Sequence, residues 1–239
     1  MIEIKPASTI QIIREVPNNG GVEVLLLRRN KALKFASGFW VYPGGKIEKD
    51  ELDNRTELDA AKIAGARETM EEAQLQVESN DLAFCIHWTT PINEKRRFST
   101  YFFHVKVDYD NSKVIVDDSE IMEHKWMSPK DAFKALQRKE IFLLPPTYIT
   151  LQRIIDCQNY YEVKEEWNRS EPTFVNPIIG MDDYTVHCMY EGDAGYENGD
   201  FSSNGARHRL VVNYKKPSFT FVHENCQVFP LNGGKHLDH

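Results

Sequence analysis

The chain has no long apolar run, no excess of basic charge and no closely spaced pair of cysteines. The first absence matters most at the N-terminus. There MIEIKPASTIQIIREV carries an acidic residue at position 3 and only short apolar stretches, so it reads as neither a signal peptide nor a membrane span. With 29 Lys and Arg against 36 Asp and Glu, the formal charge is −7. That balance gives no footprint for gripping a polyanionic duplex and argues against binding of nucleic-acid polymers. A small anionic ligand then needs local cations or a metal to overcome the overall field. Cys85, Cys157, Cys188 and Cys226 show no CxxC spacing, as expected of reduced thiols. His187-Cys188 and His223-x-x-Cys226 fit no common zinc pattern and read better as buried thiols and surface histidines. The expectation from these absences is a soluble cytoplasmic protein without a membrane partner.

What is present is globular in composition: 239 residues, 41% hydrophobic and 27% charged, enough for a core domain of about 150 residues with an extension. Residues 8–16 and 22–29 are rich in β-branched and aliphatic side chains and flank Pro17-Asn18-Asn19-Gly20-Gly21, which predicts a hairpin. A strand over 38–43 runs into the Gly44-Gly45 turn, a polar loop follows over 46–59, and the alanine-rich run 60–73 predicts a helix. Two further strands are expected over 82–90 and 98–107. Ser128-Pro129 opens a helix to about 138, with serine as N-cap and proline at the first helical position. Ile149, Leu151, Ile154 and Ile155 give an amphipathic stripe, and from about 165 the texture turns to short β-prone pieces among Gly, Asn and Asp. The division expected is a core over 1–160 and a β-rich C-terminal extension over 161–239.

The informative window is Ala66-Arg67-Glu68-Thr69-Met70-Glu71-Glu72-Ala73. At helical spacing, residues 68, 71 and 72 fall within an arc of about 100°, so three carboxylates share one face. Like charges at those offsets oppose one another, and a divalent cation removes the penalty. Carboxylates with few imidazoles or thiols nearby suit Mg2+, with Mn2+ as a substitute. Acidic pairs on helices are also common as plain solvated faces. The glycine pair of Tyr42-Pro43-Gly44-Gly45-Lys46 shifts the balance, because backbone there is able to approach a metal or phosphate with no side chain in the way.

Together these residues resemble the Nudix box, Gly-x5-Glu-x7-Arg-Glu-hydrophobic-x-Glu-Glu-x-Gly-hydrophobic. Gly45 and Glu51 match its front half; Arg67, Glu68, Glu71, Glu72 and Leu75 match its back half. Fifteen residues separate Glu51 from Arg67 where the pattern has seven, an eight-residue insertion that leaves Glu51 and Asp59 as alternatives for the middle acidic position. Thr69 replaces a hydrophobic residue, and Gln74 replaces the helix-ending glycine. The insertion, with Trp88-Thr89-Thr90-Pro91, Arg96-Arg97-Phe98-Ser99-Thr100 and Leu144-Pro145-Pro146-Thr147, resembles the long-box branch that includes peroxisomal coenzyme A diphosphatases.

The resemblance implies an α+β fold, a Nudix-type mixed β-sheet sandwiched between helices. It implies Mg2+ held by Glu68, Glu71, Glu72 and the Gly44 carbonyl, and hydrolysis of a diphosphate linkage in coenzyme A or an acyl form of it, ADP-ribose or a dinucleotide. Glu68 and Arg67 belong to the implied catalytic set. A general base in a later loop falls on Glu120, with Glu123 as the competitor. Among Arg28, Arg29, Arg96 and Arg97, Arg97 and Arg28 are the candidates for substrate phosphates, and Phe39 is a candidate for stacking. A small nucleotide is the expected partner, and a homodimer is compatible with the reading. The rival from another class is a Nudix fold kept as a nucleotide sensor without catalysis.

Overall fold

The computed structural model describes residues 2–18, 20–33, 36–213, 215 and 218–235. The expected hairpin is formed by β1, Ile4–Glu15, and β2, Val22–Arg29, paired antiparallel with Ile13 opposite Val24. Both strands are buried on both faces. Ile10, Ile12, Leu25 and Leu27 enter one apolar cluster, while Ile13, Val24 and Leu26 enter the other, the period-2 alternation of a sheet covered on each side.

The first strand starts four residues earlier than the sequence suggests and organises the sheet. Besides β2 it pairs in parallel with β6, Arg97–Val107, along its whole length from Ile4 opposite Arg97 to Arg14 opposite Val107. The expected strand over 38–43 is reduced to β3, Trp40–Val41, and the expected glycine turn is itself a strand, β4, Gly44–Lys46, lying antiparallel on β1. Glycine makes this possible. A Cβ on Gly44 would overlap the Ser8 carbonyl and lie within 2.8 Å of Thr9 atoms, a closeness only a residue without a side chain permits. With β5, Ala83–Thr89, and β7, Ile121–Met127, the sheet has the order β3-β2-β1-β6-β5, with β4 on β1 and β7 on β2.

On one face lies α2, Glu57–Ala73, preceded by a short α1, Lys49–Leu52, inside the polar stretch. Thr56 caps α2 by accepting from the Asp59 amide, as a helix start requires. Its buried side is made of Ala60, Ala61, Ala64 and Gly65, small residues that bring it close to β1. A Cβ at Gly65 would stand 2.6 Å from Ser8 Oγ and 2.9 Å from Ile10 Cδ1. The helix ends at Ala73 with Gln74 in the left-handed conformation, φ 49° and ψ 35°, so this non-glycine residue adopts the geometry in which glycine is favoured.

The opposite face carries α3, Pro129–Gln137, and α4, Pro145–Arg153. The apolar stripe over 149–155 thus belongs to a helix that stops at Arg153, and α5, Tyr160–Trp167, follows, capped by Asn159. This last helix lies where β texture begins in the sequence. Strand β8, Thr173–Val175, then joins the large sheet parallel to β5. The rest of the extension forms a second antiparallel sheet of β9, Ile178–Asp182, β10, Thr185–Met189, β11, Arg207–Asn213, and β12, Ser218–Glu224. Its inner residues Cys188, Tyr190, Leu210 and Val212 share the apolar cluster of α3 and α4. Arg209 and Asp193 fix it from within by a buried two-point pair, Nε to Oδ2 at 2.7 Å and Nη2 to Oδ1 at 2.5 Å. Among the described residues, no helix is long and apolar enough to cross a membrane.

Candidate functional site

The glutamates of α2 face the β4 strand, and Arg67 ties them to it. Its guanidinium donates to Glu51 Oε1 (2.9 Å), Glu68 Oε1 (3.0 Å), Glu71 Oε2 (3.1 Å) and the Lys46 carbonyl (3.0 Å). Glu51 is 7% exposed and also accepts from the Glu48 amide at 2.7 Å. Asp59, by contrast, sits in the first turn of α2 and hydrogen-bonds Thr56. The geometry therefore sets Glu51, within α1, against the box arginine, and the eight-residue insertion between them is taken up by the turn after α1 and the first turns of α2.

Glu72 is 6% exposed and accepts from the Gly44 amide at 2.9 Å. Burial is the main reason its pKa is pushed up to about 8; the negative charges of Glu68 and Glu120 add to the rise, against the Gly44 amide and Arg29. Glu68 is raised for the same first reason, with Glu71 and Glu120 contributing, against Arg67. Glu68 and Glu72 therefore both feel the carboxylate of Glu120, which comes from the turn before β7. Arg29 bridges the two sources, its Nη1 3.8 Å from Glu72 and its Nη2 3.4 Å from Glu120, while its Nε is buried without a hydrogen-bond partner. Gly45 closes the cluster, since a Cβ there would overlap the Glu68 carboxylate.

The residues fit a divalent cation by donor chemistry, because hard oxygens that repel one another gain from a shared positive ion. Among the described residues, no three His, Cys, Asp or Glu side chains are already gathered around one point. Arg67 is the counter-ion of Glu68 and Glu71, and the Gly44 amide holds Glu72.

The other candidates fall elsewhere. Glu123 pairs with Arg28 at 3.2 Å. Strand alternation puts Arg28 on the face of β2 opposite Arg29. The ring of Phe39 lies 6.3 Å from that of Phe142. Arg97 Nε donates to the Thr90 carbonyl at 3.1 Å, and neither it nor Arg28 pairs with a carboxylate of α2 among the described residues. His187 stacks on Phe201 and His223 donates to the Val228 carbonyl, so no zinc arrangement forms among the described residues. Sequence reasoning passed over Arg29 in favour of Arg28. The signal was there in the pattern Leu25-x-Leu27-x-Arg29, which continues the face that α2 covers.

The NUDIX domain family model matches residues 9–144, more than half of the chain and all of the cluster just described. The chain belongs to the NUDIX family. It is a Nudix hydrolase, of a family that generally uses divalent metal ions. "Putative nudix hydrolase 7" of Caenorhabditis elegans is 25% identical over 208 residues, covering 72% of this chain and 69% of its own length. A crystal structure of a NUDIX hydrolase from Alicyclobacillus acidocaldarius overlays with a TM-score of 0.60 at 21% identity, over 69% of this chain and 97% of that one. The mixed sheet between helices is the Nudix fold that the box implied.

Proposed function

We propose that this Nudix hydrolase splits the phosphoanhydride of a nucleoside diphosphate derivative with Mg2+, or Mn2+ in its place, held by Glu68, Glu71, Glu72 and the Gly44 carbonyl. The observation that carries this reading is that Arg29 brings Glu72 of α2 (3.8 Å) and Glu120 of the loop before β7 (3.4 Å) to one guanidinium, with the Glu68 carboxylate packed on Gly45 beside them and the Glu120 charge adding to the rise of both Glu68 and Glu72. When bound, the ion neutralises the diphosphate and makes a coordinated water acidic. Arg67 then keeps Glu51 and steers Glu68 and Glu71 through the bonds it already makes. Glu120 accepts the water's proton; it is more than half exposed and is held only loosely by Arg29.

Arg29 stands beside the carboxylates as the cation nearest the reacting phosphates, and its unpartnered Nε gives it a donor to spare. Arg28 and Phe39, at the same end of the β2–β3 pair, are proposed to flank the nucleoside. Coenzyme A and its acyl forms, ADP-ribose and dinucleotides all contain the required linkage.

The test is a screen of such compounds with added Mg2+ or Mn2+, the products identified by mass. Glu72→Gln is expected to abolish metal-dependent turnover, and Glu120→Gln to lower kcat by about 10²–10⁴, both with an unchanged circular dichroism spectrum. Full activity of folded Glu72→Gln overturns the metal assignment. Full activity of Glu120→Gln overturns that of the base.

A further inference from the structure

A second concave site lies on the other side of β1 from the carboxylates. It is a cleft of about 290 Å³ where the core meets the C-terminal extension. Thr90, Ile92 and Arg97 form the core wall; Ile178, Tyr196 and Glu197 form the other. The extension wall is braced internally, since the Tyr196 hydroxyl donates to the Asn176 carbonyl at 2.9 Å.

Arg97 is the feature that calls for a ligand. Its Nε is pinned to the Thr90 carbonyl, and Thr90 is itself fixed by two bonds to Phe98, one from its amide to the Phe98 carbonyl at 2.8 Å and one from the Phe98 amide to its hydroxyl at 3.0 Å. Among the described residues, no carboxylate pairs with the guanidinium, so both terminal nitrogens remain available in a partly apolar cleft. A fixed guanidinium fork suits a carboxylate or phosphate monoester. Glu197, exposed on the opposite wall, opposes that anion from a distance rather than neutralising Arg97.

Register gives the distance to the reaction centre. Gly44 stands opposite Thr9 and Arg97 opposite Ile4, on the two edges of β1. Two strand spacings and five residues of rise amount to about 19 Å. An extended nucleoside diphosphate derivative covers that span, while the reacting phosphates themselves stay out of reach of Arg97.

We infer that this cleft receives an anionic group, carboxylate or phosphate monoester, at the non-reacting end of the substrate, with apolar atoms against Ile92 and Ile178. The inference rests on the phosphoanhydride reading above and adds to it a substrate class: diphosphates that carry a second, remote anion. The C-terminal extension is then part of the specificity apparatus, since it supplies one wall.

The test uses the full chain and a matched pair of diphosphate substrates that differ only in a terminal carboxylate or phosphate remote from the anhydride. Arg97→Ala is expected to raise KM for the anion-bearing member by about tenfold to a hundredfold with kcat unchanged, and to leave the other member alone. Glu197→Gln, at an exposed position, is expected to lower KM for the anion-bearing member. Equal effects on both substrates, or none on either, overturn the inference while the phosphoanhydride reading stands. Wild-type protein that turns over neither member with Mg2+ or Mn2+ overturns both.

Discussion

Adjacent glycines in β4 make opposite predictions. At Gly45 the three atoms nearest to an added Cβ all belong to the Glu68 carboxylate, and the backbone there is not left-handed. Gly45→Ala therefore displaces a movable side chain. The fold loses the bond from Arg67 to Glu68, worth about 1 kcal/mol at this partly exposed position, and regains about 0.4–1 kcal/mol from a less flexible unfolded chain. Stability should change by less than about 1 kcal/mol. The metal site should suffer more, because one of its carboxylates is pushed off. Loss of a charge-assisted contact of about 1.5–3 kcal/mol weakens Mg2+ or Mn2+ binding by roughly tenfold to a hundredfold. At Gly44 the overlapping atoms are the Ser8 carbonyl and the backbone of Thr9, which cannot give way without parting β4 from β1. Gly44→Ala should cost at least about 1–3 kcal/mol of fold stability. Calorimetric metal titration and urea unfolding of the two variants separate these effects. Unchanged metal affinity in Gly45→Ala, or a Gly44→Ala variant as stable as wild type, refutes the reasoning.

Gln74→Gly should raise stability by about 0.5–1 kcal/mol, since it removes a left-handed penalty of about 1–2 kcal/mol and adds some unfolded-state entropy; a lower Tm contradicts the cap assignment. His104, buried and bonded to the Tyr160 hydroxyl at 2.9 Å, has its pKa pushed down to about 4 by burial. Between that value and the ordinary 6.5, the unfolded chain binds more protons than the native one, so stability is complete above about pH 6.5 and falls as pH drops toward 4. The loss amounts to about 3 kcal/mol, and it should shrink in His104→Gln, as urea midpoints across that range will show. Asp193→Ala leaves Arg209 buried without its partner and should cost about 3–5 kcal/mol; a loss under 1 kcal/mol in chemical denaturation counts against that pair as the anchor of the second sheet.

The three glutamates were legible because helical periodicity is local, and spacing alone puts residues 68, 71 and 72 on one face. The partner of Arg67 was not, because a fifteen-residue interval says nothing of how the chain between folds back, and only the closed loop shows Glu51 in contact. Gly44 and Gly45 read as a turn because glycine usually marks one; here glycine serves strand contact with β1. The extent of β1 escaped because Pro6 and Lys5 are poor strand signals, and an edge-to-edge parallel partner some ninety residues away overrides them. Helix α5, YYEVKEEW, lies at the border where the sequence passes from the amphipathic stripe to β-prone pieces, and its cap at Asn159 was the local clue to a separate helix.

The parallel pairing of β1 with β6 also bears on how the chain is made. A ribosome delivers residues 4–14 long before residues 97–107, so the most central strand of the sheet waits, with one edge open, until its partner some ninety residues later has been synthesised. Closing so long a loop is slow, and an unpaired apolar strand is a template for misassembly in the meantime. The hairpin with β2 is the local contact available early, and it covers only the last residues of β1. Nascent-chain yield should therefore depend on chaperone supply more than the stability of the finished fold would indicate.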